Sequence, residues 1–414
     1  MQILEILNPW WKDGRVSRRL APKYKRKAYT EVKKLFARRQ ITVISGLRRV
    51  GKSTLMYQLI DELLKDKRPE RILYFSFDER VKGVLDVLKE YSELTGVDWR
   101  KEKCFLFFDE IQKLPDWSNK IKIIYDNFPN LKITVSGSSS FHLEREAKMN
   151  LAGRHFVVNL EPLNFVEYLE MRKSRIDLER IKLWEEDIKK EFKNYLLKPF
   201  PEIVGLKESN LIKSYIKDNV IEKVLKIDLP ERFKDINEEL LVTLVEIFYD
   251  RPGMYINYDE ISKELRVSKK KLFQHVHYLE FAYIIRRVKN FRPKIRVTSR
   301  KLQRVYPFHW ALRFGWNGKI DSETIVASLL DAKYYWRKDG KEVDFLKVNE
   351  KILPVEVKES SKVRRTELKS LIYFMRRFNL KEGLVIYNGE EETLEINSFI
   401  IKKTPIWKLF LAKR

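Results

Sequence analysis

The sequence predicts an α/β protein in which a core with a parallel sheet comes first, a helical region follows, and a second α/β domain ends the chain. Short apolar runs typical of buried strands alternate with helical patterns over the first 160 residues. A compact helical stretch occupies residues 236–290, and a charged strand–turn–strand pattern follows near residue 350. The 414 residues leave room for two to four domains, at roughly 100–200 residues each.

The composition restricts the compartment and the class of protein. Hydrophobic residues make up 44% of the chain, but no apolar run approaches the ~20 residues that span a bilayer. The N-terminus lacks the basic and apolar regions of a signal peptide. A single cysteine, Cys104, excludes an internal disulfide and fits a reducing compartment. We therefore expect a cytoplasmic protein with no membrane partner.

The charge is strongly unbalanced, with 84 Lys and Arg against 59 Asp and Glu, a net charge of +25. Such an excess predicts a polyanionic partner, most simply nucleic acid. The charged fraction of 35% is also typical of thermophile surfaces. That alternative explains the density of charge but not its sign.

Residues 1–26 are predicted to form a basic N-terminal segment, and residues 27–175 the nucleotide-binding core. The segment contains Asn8-Pro9-Trp10-Trp11, whose tryptophans we expect to pack on a neighbouring domain. The basic run from Arg15 to Arg26 is expected to form a solvated arm.

The core is organised around Ile41–Thr54, ITVISGLRRVGKST. The apolar strand Ile41–Ser45 leads into a stretch that fits G-x-x-x-x-G-K-[ST], and a helical pattern follows. The two glycines let the loop wrap its N–H groups around phosphate, Lys52 would reach the β- and γ-phosphates, and Ser53 would hold Mg²⁺. The predicted nucleotide-binding residues are Gly46, Leu47, Arg48, Arg49, Val50, Gly51, Lys52, Ser53 and Thr54.

Two further strands end in polar residues at the expected ligand edge of the sheet. Cys104–Glu110, CFLFFDE, predicts a buried strand whose Asp109 holds Mg²⁺ and whose Glu110 is the general base for water. The strand that begins at Leu131 ends in Ser136–Ser140, where Ser138 is predicted to sense the γ-phosphate or orient water; an ordinary turn is the alternative. Arg154 is predicted either to stabilise transition-state charge or to form a structural ion pair.

These motifs together resemble the archaeal-type P-loop ATPases within or beside the STAND/AAA+ class. The resemblance covers about the first 230 residues and rests on Asn8–Trp11, Gly46–Thr54, Leu106–Gln112 (LFFDEIQ), Ser136–Ser140, Leu151–Arg154 (LAGR) and Glu161–Leu169 (EPLNFVEYL). It implies that the nucleotide is ATP and that the SGSSS strand lies between the P-loop strand and the Asp-Glu strand. Lys198–Glu202, KPFPE, departs from the Gly-Gly-[FY]-Pro-Glu type found in relatives.

The middle of the chain is predicted to be helical. Residues 176–235 are interpreted as a connector or lid that ends at Asp228–Glu231. Residues 236–292 look like a winged helix-turn-helix whose third helix has Ser268 as N-cap. The predicted DNA-contacting residues at its start are Lys269, Lys270, Lys271 and Gln274. A protein-binding module is the alternative.

Residues 291–318 interleave cations with aromatic rings, a pattern that favours either nucleic-acid binding or a packed interdomain strand. The residues concerned are Lys294, Arg296, Arg300, Lys301, Arg304, Tyr306, Phe308, Trp310, Arg313 and Trp316.

Residues 293–414 are predicted to form the last domain. If Lys341–Leu346 and Ile352–Lys358 pair as a hairpin, Asp344 approaches Glu356, and Lys358 shares the face of Glu356. Two carboxylates could then bind Mg²⁺ while the lysine orients water for attack on a phosphodiester.

This D…E-x-K pattern resembles the PD-(D/E)XK nuclease superfamily, and its surroundings resemble the domain of unknown function that ends these archaeal ATPases. The matching stretches are YYWRKDGKEVDFL (Tyr334–Leu346), LPVEVKES (Leu353–Ser360) and TPIWKLFL (Thr404–Leu411). The resemblance implies a restriction-endonuclease-like α/β fold and adds Glu323 to Asp344, Glu356 and Lys358 as a nuclease-like site.

The sequence thus predicts an ATP-binding and ATP-hydrolysing switch that couples its nucleotide state to DNA binding through a winged helix and a nuclease-like domain. One alternative is an ATP-gated, Mg²⁺-dependent DNA endonuclease. Another is a STAND-type signalling ATPase whose C-terminal domains bind protein. A homo-oligomer is required if Arg154 acts on a neighbouring chain.

Overall fold

The computed structural model describes residues 3–79, 83–138, 146–147, 149–292 and 302–412. The chain divides into two compact units. The first holds residues 1–163 and 200–202, and the second holds residues 164–199 and 203–414. In the part of the chain that the structure describes, no helix has both the length and the apolar character needed to cross a membrane.

The first unit is built on a five-stranded sheet in the order β2-β3-β4-β1-β5, and every neighbouring pair is parallel. Its strands are β1 (Ile41–Ser45), β2 (Ile72–Ser76), β3 (Cys104–Asp109), β4 (Leu131–Gly137) and β5 (His155–Asn159). The position predicted for the SGSSS strand is confirmed, because β4 lies between the P-loop strand β1 and the Asp-Glu strand β3. Every residue of β1, β3 and β4 is buried, which explains why these strands read as continuous apolar runs.

Several α-helices flank this sheet in the first unit. They are α1 (Ile3–Leu7), α2 (Trp10–Asp13), α3 (Lys27–Phe36), α4 (Lys52–Leu63), α5 (Val84–Thr95) and α6 (Trp117–Asn127). The hydrophobic core includes side chains of α5 and α6 packed on those of β2, β3 and β4. This packing holds the carboxyl ends of the parallel strands at one edge, where ligands of open α/β sheets bind.

The N-terminal segment covers the exposed edge of this sheet. The Asn8 side chain accepts a hydrogen bond from the Tyr74 N–H at 2.6 Å and donates to the Tyr74 carbonyl at 2.8 Å. The indole nitrogens of Trp10 and Trp11 both donate to the Ile72 carbonyl. The tryptophans thus pack on the neighbouring core of residues 27–175, as expected, and they satisfy backbone groups of edge strand β2.

The prediction of a solvated arm is wrong at Arg26. Its guanidinium donates to the carbonyls of Val50 at 2.9 Å, Glu161 at 2.8 Å and Pro162 at 3.2 Å. The end of the basic run is thereby fixed to the P-loop, because the five donors of a guanidinium can serve several carbonyls at once.

The second unit holds an eight-stranded mixed sheet in the order β12-β13-β11-β10-β9-β8-β6-β7. Its strands are β6 (Ile285–Asn290), β7 (Gln303–Pro307), β8 (Tyr334–Lys338), β9 (Lys341–Val348), β10 (Ile352–Val357), β11 (Glu382–Tyr387), β12 (Glu392–Ile396) and β13 (Phe399–Pro405). Its helices are α7 (Phe165–Met171), α8 (Glu185–Leu197), α9 (Ser209–Ile216), α10 (Leu229–Arg232), α11 (Glu238–Asp250), α12 (Tyr258–Glu264), α13 (Lys269–Phe281), α14 (Trp310–Asn317), α15 (Ser322–Leu329), α16 (Lys369–Arg377) and α17 (Ile406–Ala412).

The sequence predicts that the core ends at residue 175. In the structure, the chain leaves the first unit already after Leu163. The reason is an aromatic cluster within the second unit. Tyr195 contacts the rings of Phe165 and Trp310, and Phe410 contacts Tyr195 and Trp310. The cluster unites α7 and α8 with α14 and the C-terminal helix α17.

The predicted boundary at Asp228–Glu231 is not a break in the structure. Helix α9 continues through π-helical turns at Lys217–Glu222 and Val224–Asp228 into α10. Pro230 lacks an N–H and its ring crowds the preceding turn, and the wider π turn leaves room for it.

The predicted boundary between residues 292 and 293 separates two strands that pair. β6 and β7 are antiparallel neighbours, with Val288 opposite Arg304, and β6 also pairs with β8. The hairpin expected as the wing is therefore the edge of the eight-stranded sheet.

Candidate functional site

The P-loop leaves β1 and closes at the start of α4. Gly46 has φ +153°, and a Cβ at this position would lie 2.2 Å from the Leu160 carbonyl oxygen. Gly51 has φ +97° and is the N-cap of α4. Glycine is therefore required at both fixed positions of the motif. At Gly46 the reason is the close approach of the Leu160 backbone, and at Gly51 it is the positive φ. Helix α4 begins directly after this loop, and the start of an α-helix presents backbone N–H groups and a positive dipole end to an anion.

Lys52 extends back over this loop. Its side chain is buried, and Nζ donates to the carbonyls of Gly46 at 3.1 Å and Leu47 at 2.8 Å. The ammonium is thus held inside the loop, where it can neutralise a phosphate.

Asp109, at the end of β3, accepts hydrogen bonds from three neighbouring hydroxyls. Ser53 Oγ donates to Oδ2 at 2.5 Å and Tyr74 Oη to the same oxygen at 2.8 Å, while Ser136 Oγ donates to Oδ1. Burial, reinforced by the charge of Glu110, raises the pKa of Asp109 against the effect of these donors. The structure therefore brings Ser53 and Asp109 together, as a shared Mg²⁺ site requires.

Glu110 follows with φ +47°, a backbone conformation that is uncommon outside glycine. Its Oε2 accepts from Gln112 Nε2 at 2.5 Å and from Ser138 Oγ at 2.9 Å. Burial opposes ionisation, but the Lys52 ammonium and the Gln112 and Ser138 donors hold the pKa of Glu110 below its usual value. Glu110 is therefore an ionised, oriented carboxylate, which suits a general base.

Sequence reasoning missed Tyr74, Ser136 and Gln112 as members of this site. Ser136 is on β4 and Ser138 follows directly after the strand, and their spacing of two residues was a signal that period-2 alternation offered. Gln112 is the last residue of the LFFDEIQ motif, but the sequence suggested no role for it. Tyr74 gave no signal, because its approach to Asp109 depends on the pairing of β2 with β3. Ser139 and Ser140 of the SGSSS motif lie outside the described residues.

Arg154 is not part of this site within the chain. It precedes β5, whose His155 pairs with Ile41 at the opposite end of β1 from the P-loop. The length of β1 separates the two ends, about 13 Å at 3.3 Å per residue. Its guanidinium pairs with Asp126 at 2.7 Å. The prediction of a catalytic role in the same chain is wrong, and the ion-pair alternative is what the structure has.

In the second unit, the hairpin predicted for the nuclease-like residues is present. β9 and β10 are antiparallel, and Phe345 opposite Val355 places Asp344 next to Glu356. The Val357 N–H donates to Asp344 Oδ2 at 2.9 Å, and Lys358 Nζ donates to Glu356 Oε1 at 2.7 Å. Burial and then the charge of Glu356 raise the pKa of Asp344 to about 7.

Glu323, on α15, lies beside the same hairpin but is engaged by other groups. Its Oε1 accepts from Arg304 at 2.6 Å and from Tyr306 Oη at 2.8 Å. A cavity of about 320 Å³ is lined by Glu323, Asp344 and Lys358 together with Pro252, Arg313, Asp321, Val357 and Glu359. Over the described residues, no three His, Cys, Asp or Glu side chains are arranged to hold a metal ion. The cation that Glu323 and Asp344 face in this structure is the Arg304 guanidinium.

The predicted DNA-contacting residues lie at the start of α13. Ser268 is the N-cap and accepts from the Lys271 N–H. Lys269 and Lys270 are exposed, and Lys269 pairs with Asp259. Phe273, which sequence reasoning did not select, is 51% exposed beside them. The lysines therefore form a basic surface with one exposed ring.

The basic and aromatic stretch near residue 300 has a different character. Arg304, Tyr306, Trp310 and Arg313 are buried, so the prediction of a nucleic-acid surface is wrong for them. The packed-strand alternative holds for Arg304 and Tyr306 on β7, whereas Trp310 and Arg313 lie on helix α14. Lys294, Arg296, Arg300 and Lys301 lie outside the described residues.

Three stretches of the chain match known protein families. Residues 38–169 match a family described as AAA domain, residues 189–310 a domain of unknown function (DUF8612), and residues 323–409 another domain of unknown function (DUF4143). The first match and the parallel sheet make this part of the chain an AAA-type P-loop ATPase domain.

The curated relatives are similar along most of their length. Two uncharacterized proteins of Methanocaldococcus jannaschii are 27% identical over 399 residues and 29% identical over 420 residues. These alignments cover 90% of this chain and 88% and 85% of the relatives. An uncharacterized protein of Haemophilus influenzae is 25% identical over 392 residues, covering 89% of this chain and 94% of that protein. The similarity thus extends beyond the ATPase domain.

Among solved structures, similarity is low in score and limited to part of the chain. Domain III of the Thermotoga maritima replication initiation protein DnaA gives a TM-score of 0.28 at 16% identity, covering 47% of this chain and 91% of that one. AMPPCP-bound DnaA from Aquifex aeolicus gives 0.30 at 17% identity, covering 63% and 92%.

Proposed function

We propose that this chain is an ATP-binding and ATP-hydrolysing switch whose nucleotide state controls DNA binding by its second unit. One observation carries the ATPase part. Asp109 and Glu110 are consecutive, yet Asp109 accepts from the hydroxyl of Ser53 whereas Glu110 lies in the field of Lys52 and accepts from Gln112 and Ser138. Two adjacent carboxylates are thereby given separate roles.

The chain's own residues account for the steps. The P-loop amides and Lys52 bind the phosphates, with Lys52 exchanging the carbonyls of Gly46 and Leu47 for phosphate oxygens. Ser53 and Asp109 offer the hard oxygen ligands that suit Mg²⁺, which would supply charge neutralisation at the phosphates when bound. Glu110 orients water and accepts its proton, and Gln112 and Ser138 fix the carboxylate for that task.

The first prediction separates nucleotide binding from turnover. Lys52→Ala removes the phosphate-binding ammonium, so ATP binding and turnover are both lost. Glu110→Gln leaves the P-loop intact, so ATP still binds while turnover falls by about 10²–10⁴. Isothermal titration and a phosphate-release assay measure the two quantities.

Lys65→Ala is the matched control for this experiment. Lys65 is an exposed lysine just beyond α4, and its removal leaves both quantities unchanged. Wild-type turnover in Lys52→Ala would sink the ATPase proposal.

The DNA part of the proposal is supported by the basic start of α13 and the net charge of +25. Removing phosphate-contacting lysines weakens binding and lowers its salt dependence. For Lys269→Ala/Lys270→Ala/Lys271→Ala we therefore expect the slope of log K against log[salt] to fall by about two to three. Fluorescence anisotropy with single-stranded, duplex and branched DNA measures it at several salt concentrations.

A control with the same change of net charge is available on and beside α8. Lys182→Ala/Lys190→Ala/Lys193→Ala removes three exposed lysines and is expected to keep the wild-type slope within about one. Equal slopes for the two triple variants would contradict DNA contact at α13. An absence of salt-dependent DNA affinity in wild type would favour the signalling alternative with a protein partner.

A further inference from the structure

The carboxylates of the second unit surround a buried guanidinium. Arg304 lies on β7 with its side chain 10% exposed. One terminal nitrogen is 2.6 Å from Glu323 Oε1, and the other is 3.1 Å from Glu342 Oε1 and 3.7 Å from Asp344 Oδ1. A single guanidinium thus forms ion pairs with carboxylates from α15 and from β9.

Arg304 is fixed by more than charge. Its Nε donates to the Gly253 carbonyl at 2.8 Å, and the guanidinium lies 5.3 Å from the centre of the Tyr306 ring. Gly253 has φ +80°, and a Cβ there would lie 2.7 Å from an Arg304 terminal nitrogen. The Gly253 turn therefore has room for the guanidinium only because it carries no side chain.

Several carboxylate oxygens of this cluster already have partners within the protein. Glu323 Oε1 already accepts from both Arg304 and Tyr306, Asp344 Oδ2 accepts from the Val357 N–H, and Glu356 Oε1 accepts from Lys358. Glu356 Oε2 is buried and has no hydrogen-bond partner. The fixed guanidinium between Glu323, Glu342 and Asp344 supplies the positive charge that a divalent ion would bring, and it repels such an ion.

We propose that Arg304 is the resident cation of this carboxylate cluster, so that the nuclease-like site of this chain takes no divalent metal ion. The second unit then acts on its partner by binding and not by metal-dependent phosphodiester cleavage. This inference is independent of ATP hydrolysis, because it concerns only the second unit.

The test measures Mn²⁺ binding by the full-length chain without nucleotide. Electron paramagnetic resonance detects the ion that remains free. Wild type and Asp344→Asn are expected to bind the same number of ions, since any Mn²⁺ at the P-loop is common to both. Arg304→Gln removes the guanidinium and frees Glu323 and Asp344. It is expected to gain one Mn²⁺ per chain, about a hundredfold tighter than any binding at this cluster in wild type. The gain disappears in Arg304→Gln/Asp344→Asn.

Arg313→Gln is the matched control. Arg313 is equally buried, lines the same cavity and pairs with Asp321 at 2.5 Å, but it does not contact the cluster. It is expected to gain no Mn²⁺. A wild-type Mn²⁺ site that is lost in Asp344→Asn would overturn the proposal, and so would a folded Arg304→Gln variant that gains none. If Arg304→Gln does not fold by circular dichroism, the comparison of wild type with Asp344→Asn still decides.

Discussion

Lys132 shows how a single residue can hold two elements of the ATPase domain together. It stands in the apolar strand β4, yet its ammonium donates to the carbonyls of Arg38 at 2.8 Å and Gln40 at 2.5 Å and to Thr42 Oγ1 at 3.1 Å. The two carbonyls belong to the turn that follows α3, and Thr42 is the second residue of β1. Lys132 therefore ties β4 to the connection between α3 and β1.

We expect Lys132→Met to destabilise the protein by about 1–3 kcal/mol, because the Arg38 and Gln40 carbonyls and the Thr42 hydroxyl lose their donor. Chemical denaturation measures the loss. Lys101→Met, at an exposed lysine before β3, is the control and should change stability by less than about 0.5 kcal/mol. Equal stability of the two variants would contradict the role given to Lys132.

At the residue scale, the sequence predicted the site residues that belong to short continuous motifs. Lys52, Ser53, Asp109 and Glu110 follow directly from the ends of two strands. Arg304 could not be located in this way. Its partners Glu323, Glu342 and Asp344 come from helix α15 and strand β9, which approach β7 only in the folded second unit. A buried arginine and a DNA-contacting arginine look alike in sequence, since only burial distinguishes them.

At the scale of elements, the N-terminal segment takes the place of a neighbouring strand. Asn8 pairs with both backbone groups of Tyr74, and Trp10 and Trp11 bond to Ile72. The apolar runs predicted β1 to β4 because strands covered on both faces need continuous hydrophobicity. They could not predict which strand would be at the edge, because this depends on pairing order.

Asn8→Ala should therefore expose the edge of β2. The substitution removes two hydrogen bonds to Tyr74 and leaves a buried N–H and a buried carbonyl, for an expected loss of about 2–3 kcal/mol. Hydrogen exchange of the Tyr74 amide should accelerate with it. Asn127→Ala, at an exposed asparagine of α6, is the control. An unchanged exchange rate at Tyr74 would contradict the edge-covering role.

At the scale of the whole molecule, the chain passes between the two units at three places. It leaves the first unit after Leu163, returns for Phe200–Glu202, and leaves again. The returning residues belong to the KPFPE stretch that departs from the usual Gly-Gly form. Within the first unit, Glu202 pairs with Arg49 of the P-loop at 3.2 Å. The P-loop is therefore joined by an ion pair to a segment whose two ends both continue into the second unit.

This connection predicts where nucleotide state is transmitted. Glu202→Gln removes the pair with Arg49 while leaving Lys52, Ser53, Asp109 and Glu110 in place. Both partners of the pair are substantially exposed, so the stability loss should stay below about 1 kcal/mol. We expect the variant to keep its DNA-free ATP turnover and its DNA affinity without nucleotide, but to lose at least half of the change in DNA affinity that ATP causes in wild type. Anisotropy titrations with and without ATP measure that change, and Glu208→Gln, an exposed carboxylate six residues on, is the control. If Glu202→Gln responds to ATP as fully as Glu208→Gln does, the signal does not pass through Arg49, and the other crossing, after Leu163, becomes the path to test.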